Sequence, residues 1–425
     1  MSDTIRREIK NERTGESYYE ISHKSGLKLL LAPMEGFVQT TAMFAANYGS
    51  IDNCFKTADD EVFITVPDGI AHYLEHKLFE NEDSSVFEQY AQTGADGNAM
   101  TGFEDTTYLF SCTENYAESL KILLDFVQKP YFTQENVDKE RGIIGQEIQM
   151  TMDIPKRRVF FKLLEAMYHN HPVRIDIAGT QETIEKITPE LLYKCYGAFY
   201  NLHNMVLSVA GNIDVDEIIG ICDEYLKPCE DKKLEVSFPD EPLNVAQEKI
   251  EESFGVGVPI FSIGFKCKAY SDDVLLKREV EASILLAMLA GRMSPLFKCL
   301  NDEGLINDEL ETEVFDGRGF FSLIISGESS EPERVCEQIK KAIEQARTDG
   351  LDRETFELIK RAEFGSAMRS GNHPESRARN MLSYYFHGMD AYENERCIAT
   401  VTFEDVTNAL NELFGEGRTT ISILR

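Results

Sequence analysis

Twice along its length the chain runs through one order of elements, and that repetition limits its possible folds more than any other feature. A strand-like run at 38–46 leads to a helix at 68–79, a short helix at 85–92 and two strands at 97–101 and 106–112. Helices at 115–128, 133–152 and 156–169 follow. The second pass begins with a strand at 261–269, a long helix at 273–289, a short helix at 294–301 and two strands at 308–314 and 319–327. Helices at 331–347, 352–369, 374–386 and 403–414 come after it, and a strand at 419–424 ends the chain. Strands joined by short turns pair antiparallel, and blocks of helices cover them. The expected class is therefore α+β, with two similar domains, each a mainly antiparallel sheet packed with helices. The stretch 227–245 is charged, carries prolines and has no sustained period. It reads as a linker between domains at 1–226 and 246–425.

Charge narrows the partners. The 425 residues carry 43 Lys and Arg against 74 Asp and Glu, a net charge of −31. Such a surface repels phosphate backbones and anionic lipid, which argues against nucleic-acid and membrane partners. The sequence reads as having no stretch of about 18 apolar residues, so no membrane span is expected. The first residues, MSDTIRREIK, contain no apolar signal-peptide core, and the expected location is cytoplasmic. Nine cysteines are scattered without a CxxC pair. That fits reduced thiols better than a disulfide framework or a zinc ribbon.

The chemistry concentrates at His72-Tyr73-Leu74-Glu75-His76. Residues four apart share a helix face, so His72 and His76 point the same way, and Glu75 stays beside them. Two neutral imidazoles suit Zn2+, and a neighbouring carboxylate can take a proton from an attacking water. This is the HxxEH pattern, the reverse of HExxH. A catalytic zinc needs a third protein ligand. On the helix at 133–152, Val137, Ile144 and Ile148 form an apolar stripe, and Glu140 and Glu147 fall within it. Acids facing a core are costly unless paired or metal-bound. Glu147 as third ligand, and Glu140 as acceptor for a ligand imidazole, account for both. His169 and His171 precede or follow a polar loop before Pro172, and with His203 they lie outside this constellation.

With these residues in hand, the sequence resembles the pitrilysin/insulinase (inverzincin) metallopeptidases, and among them the YmfH-like bacterial zinc proteases. VPDGIAHYLEHKLFE is similar to the family's zinc helix, GNAMTGFEDTTYLFS to the hairpin after it, and KERGIIGQEIQM to the helix of the third ligand. The resemblance implies two α+β domains forming half of a clamshell, and a zinc-dependent endopeptidase that hydrolyses peptides or small unfolded polypeptides in an enclosed chamber. It implies His72, His76 and Glu147 as zinc ligands, Glu75 as the catalytic base and Glu140 as the acid behind a ligand. The hairpin's edge strand pairs with extended peptides in the family, which points to Asn98, Ala99 and Met100 as substrate contacts. Alternatively Asn98 serves the turn after Gly97. The rival reading is a non-catalytic peptide-binding subunit, against which the intact HYLEH and Glu147 argue.

One departure stands out. Many relatives carry Arg and Tyr in a motif like R-E-x-G-L-x-Y, where this chain has Asn301 and Asn307. The expected working form is a dimer, either a homodimer or a heterodimer with an inactive relative that supplies the missing pair.

Overall fold

The computed structural model describes residues 5–80, 85–307 and 309–425, which form two compact units. The first comprises Met1–Ile148, Asp176–Ser237 and Arg369–Glu393, and the second Gln149–Ile175, Phe238–Met368 and Asn394–Arg425. The units therefore interleave along the chain and do not coincide with 1–226 and 246–425. Part of the linker stretch is built into them: Glu235–Val236 pairs antiparallel with Cys54–Lys56.

The first unit is organised on a seven-stranded sheet. Its order is Ile5–Lys10, Ser17–Ser22, Lys28–Pro33, Met205–Gly211, Thr40–Ala46, Thr106–Cys112 and Asp96–Thr101. Every pairing is antiparallel except that of Lys28–Pro33 with Met205–Gly211. Side chains alternate across a sheet, and both faces here are apolar. Leu29, Leu31, Phe44, Tyr108, Phe110, Leu207 and Val209 enter the main core. Leu30, Ala32, Met43, Ala45, Leu109, Val206 and Ala210 face the other way, onto Ala378, Met381 and Leu382. Those three belong to helix Pro374–Phe386, which explains why a late helix joins the first unit. A sheet apolar on both faces needs a second cover.

The second unit has a five-stranded sheet in the order Lys249–Glu252, Thr419–Leu424, Ile260–Cys267, Phe320–Glu328 and Leu310–Gly317. Its first pairing is parallel and the rest antiparallel. Helix Pro155–Met167 packs on Thr419–Leu424 and Ile260–Cys267. A Cβ at Gly264 would meet Met167 at 2.2 Å, so the glycine lets this helix close on the sheet.

Most expected elements lie within a few residues of their predicted ends; Asp308, the expected start of one strand, is outside the described residues. The structure departs from the sequence reading at three places. Strand Ile5–Lys10 (IRREIK) escapes a hydropathy reading because it is an edge strand with one buried residue. The helix expected at 68–79 is Ile70–Leu78, and its cap is Gly69 at φ 86°. A Cβ at position 69 would lie 2.4 Å from the Ala178 carbonyl oxygen, while Asp68 Oδ1 accepts from Asn53 Nδ2 at 2.9 Å. Finally, Asp272–Asp302 does contain a window long and apolar enough to cross a membrane by length and composition; 61% of it is buried in the protein, as in a core helix.

Candidate metal centre

The site grows from two helices of different character. Helix Ile70–Leu78 buries Ile70, Ala71, Tyr73, Leu74, Leu78, and also Glu75 and Lys77. His72 and His76 lie on its half-buried side. Helix Gln134–Met152 buries Val137, Glu140, Ile144, Gly145 and Ile148. Glu140 thus lies in the apolar stripe, as the helical wheel predicts, whereas Glu147 stands at its margin with its side chain 31% exposed.

The helices are tied together beside the histidines. The Tyr73 hydroxyl donates to the Val137 carbonyl. Lys77, fully buried, donates to the Asn136 carbonyl at 3.2 Å and pairs with Glu80. Tyr73 and Lys77 are four residues apart and so reach the same turn of the neighbouring helix. Sequence reasoning missed both; the available signal was a lysine at a core-facing position of an amphipathic helix.

These ties bring the candidate ligands together. His72 Nε2 lies 3.5 Å from Glu147 Oε1, and His76 Nε2 lies 3.3 Å from Glu147 Oε2. One ligand atom from each of the three residues falls within 4.8 Å of the others. A tetrahedral ion with bonds of about 2.0–2.2 Å sets its ligand atoms roughly 3.3–3.6 Å apart, so the donor set fits zinc in both chemistry and spacing. His76 Nδ1 lies 3.0 Å from Glu140 Oε1, which turns its Nε2 toward Glu147. His72 Nδ1 is buried and has no hydrogen-bond partner among the described residues. Burial acts to depress the His76 imidazolium, but the hydrogen bonds it donates to Glu140 and Glu147 outweigh it and push the pKa up to about 10. His72 and His76 in turn hold Glu147 well below the usual carboxylate range. The cluster favours positive charge at its centre.

Glu75 is 9% exposed, and its Oε2 accepts from Thr101 Oγ1 at 2.6 Å. Thr101 ends the edge strand Asp96–Thr101, against which helix Ile70–Leu78 packs. Asn98 and Ala99 lie on that strand, Asn98 on its exposed side, and Asn98 Oδ1 accepts from the Ala99 N–H at 2.9 Å. Met100 packs on the opposite face of the sheet from Ala99. The other histidines do different work. His171 is buried, with Nε2 3.0 Å from the Arg318 carbonyl oxygen and Nδ1 accepting from the Val173 N–H. His203 Nε2 lies 3.1 Å from the Cys229 carbonyl oxygen. Asn301 lies in helix Pro295–Asp302 of the second unit, and Asn307 lies just beyond it.

The chain is similar to known proteins over its whole length. The family model described as Insulinase (Peptidase family M16) matches residues 66–181, and that of the Peptidase M16 inactive domain matches residues 186–363. The zinc protease YmfH of Bacillus subtilis (strain 168), itself uncharacterized, is 38% identical over 421 residues, covering 97% of each chain. The crystal structure of an M16-like peptidase from Alicyclobacillus acidocaldarius is similar at a TM-score of 0.92 and 34% identity, covering 100% of this chain and 99% of that one. Pitrilysin shares the fold at a TM-score of 0.76 and 16% identity, with 99% of this chain matching 46% of pitrilysin.

Proposed function

The chain belongs to the insulinase family, peptidase family M16, and from that premise we propose that it is a zinc-dependent endopeptidase acting on peptides or small unfolded polypeptides. The observation that carries this reading is the convergence of His72, His76 and Glu147, with Glu75 on the same helix turn. His72, His76 and Glu147 would hold the ion, and Glu140 would keep His76 oriented through Nδ1. Zinc bound there supplies a Lewis acid for a peptide carbonyl and makes a water a better nucleophile at neutral pH. Glu75 takes the proton of the attacking water on its carboxylate and hands it to the leaving amine nitrogen. Strand Asp96–Thr101 is an edge of its sheet, open to an extended peptide by β-augmentation. Asn98 and Ala99 are the proposed backbone contacts, and a turn of the Asn98 side chain frees the Ala99 N–H for the peptide.

Zinc analysis of purified wild type and Glu75→Gln, with a peptide-library digest of each, tests the reading. Both proteins should carry about one zinc per chain, and the variant should lose hydrolysis by about 10²–10⁴-fold. A zinc-free wild type, or a variant with full turnover, overturns it. Zinc-free wild type that still captures peptides would instead support the rival reading of a non-catalytic peptide-binding subunit, which the match of 186–363 to an inactive-domain model keeps relevant.

The proposed location is cytoplasmic, supported by nine cysteines that are all free. The proposed working form is a dimer enclosing a chamber. Asn301 and Asn307, in place of Arg and Tyr, favour a heterodimer with a relative that keeps that pair; a homodimer with other substrate contacts is the alternative. Full activity of the pure chain, unchanged by a co-purifying relative, would leave only the homodimer.

A further inference from the structure

The peptidase reading accounts for Glu75 but leaves its hydrogen-bond partner without a role. Thr101 sits at the last register of its hairpin, opposite Thr106. Side chains alternate along the strand, and Ala99 and Thr101 share the face toward helix Ile70–Leu78. Ala99 packs on the main core there, and a Cβ at Gly97, also on that face, would strike Tyr90 at 2.4 Å. The strand therefore lies tight against the helices. The hairpin tip beyond Thr101 is anchored as well. The Gly102 N–H donates to the Asp105 carbonyl at 2.8 Å, the Ser50 N–H to the Gly102 carbonyl at 3.1 Å, and the Ile51 N–H to the Phe103 carbonyl at 3.1 Å. The backbone that carries Thr101 is thus anchored on both sides.

Glu75 is a flexible side chain whose work depends on where its carboxylate points. The nearby Tyr108 and Tyr200 hydroxyls lie 2.9 Å apart and bond each other. With Oε2 accepting from Thr101, Oε1 is the oxygen left to receive a proton. We propose that Thr101 is a positioning residue: its hydroxyl locks Glu75 Oε2, so that the base sits in register with the strand on which the peptide docks. This rests on the assignment of Glu75 as proton acceptor. It adds that the edge strand serves both substrate backbone and base, so peptide docking and proton transfer share one rigid reference.

The test compares the zinc-loaded full chain with Thr101→Val, which keeps the shape without the hydroxyl, and Thr101→Ser, which keeps the hydroxyl. Misplacing a catalytic group by about 1 Å costs about 10²-fold. Thr101→Val should lower kcat by about 10–100-fold with KM changed less than about twofold. Thr101→Ser should recover most of the loss, and zinc content and Tm should hold in both. In a Glu75→Gln background, adding Thr101→Val should leave residual turnover and peptide Kd unchanged, because the two act as one unit. Should Thr101→Val melt early, Thr101→Ala repeats the measurement without the added methyl. Wild-type kcat in Thr101→Val, no recovery in Thr101→Ser, or an equal further drop in the Glu75→Gln background would overturn the proposal. Glu75→Gln separates the two readings. If it keeps full turnover, the peptidase reading falls; if it is inactive while Thr101→Val is normal, only the role of Thr101 falls.

Discussion

Helices Ile70–Leu78 and Asp272–Ala290 hold the same place in the repeated order, and each packs on a two-stranded hairpin at its sheet's edge. Their contents differ. The first presents two imidazoles and sets Glu75 against Thr101. The second buries Leu275, Leu276, Val280, Ile284, Leu285, Leu286 and Leu289. Its one buried acid, Glu281, is 2% exposed and is met by Arg278 at 2.9 Å and Lys277 at 3.5 Å, both on its own helix. Burial lifts the Glu281 carboxyl above its ordinary range. Glu140 is met instead by His76, which comes from another helix. One copy of the scaffold spends its helix on stability, while the other keeps polar atoms half-buried where only a bound ion or a distant partner repays them.

Making the first helix more like the second should break function without breaking the fold. His72→Leu should reduce zinc from about one per chain to near none and cut hydrolysis by about 10³-fold or more, the several kcal/mol a metal supplies. Stripped of metal, this variant should melt close to stripped wild type, since Glu147 keeps its contact with His76 and the buried Nδ1 of His72 that lacks a partner is gone. A large fall in its Tm would show that His72 carries stability after all. The reverse should hold in the second unit. Leu285→Ala should cost about 2–5 kcal/mol by denaturant melt while zinc stays near one per chain. Between these lies Glu140→Gln, which should weaken zinc about 10–100-fold in a chelator competition if Glu140 acts, as proposed, by orienting His76.

The smallest effect concerns Glu241 in the second unit. Its carboxylate accepts from the N–H groups of His169, Asn170 and His171 at 2.7–2.8 Å and pairs with buried Lys266. Burial acts to raise this carboxyl, but Lys266 and the three N–H groups outweigh it and hold it below its ordinary 4.5. A depressed folded pKa gives stability that is present above about 4.5 and lost as pH falls through the lower folded value. Glu241→Gln should therefore cost about 1–2 kcal/mol near pH 7, and the gap should close as both proteins are melted at increasingly acidic pH. A gap independent of pH would show that the ionised carboxylate is not what holds the loop.

Legibility followed distance along the chain. The HYLEH face and the seven-residue spacing of Glu140 and Glu147 could be read because helical period acts over a few residues. The Gly69 cap could not, because Asp68 is the better cap by local chemistry and only the Ala178 carbonyl, far along the chain, demands a residue without Cβ. Thr101 lay within a quoted stretch yet carried no mark of its own, since one threonine among several says nothing until Glu75 faces it.

The sequence by itself determined the class of the elements, their double order and which side chains share a helix face, because φ/ψ preference and hydrophobic period are properties of short segments. Tertiary structure alone decided that Glu147 meets both imidazoles, that Lys77 and Tyr73 bind a turn 59 or more residues away, and that helix Pro374–Phe386 covers a sheet made wholly from the first half. Such pairings depend on which apolar faces find each other and how closely backbones approach, and these are properties of the packed whole that no single segment carries.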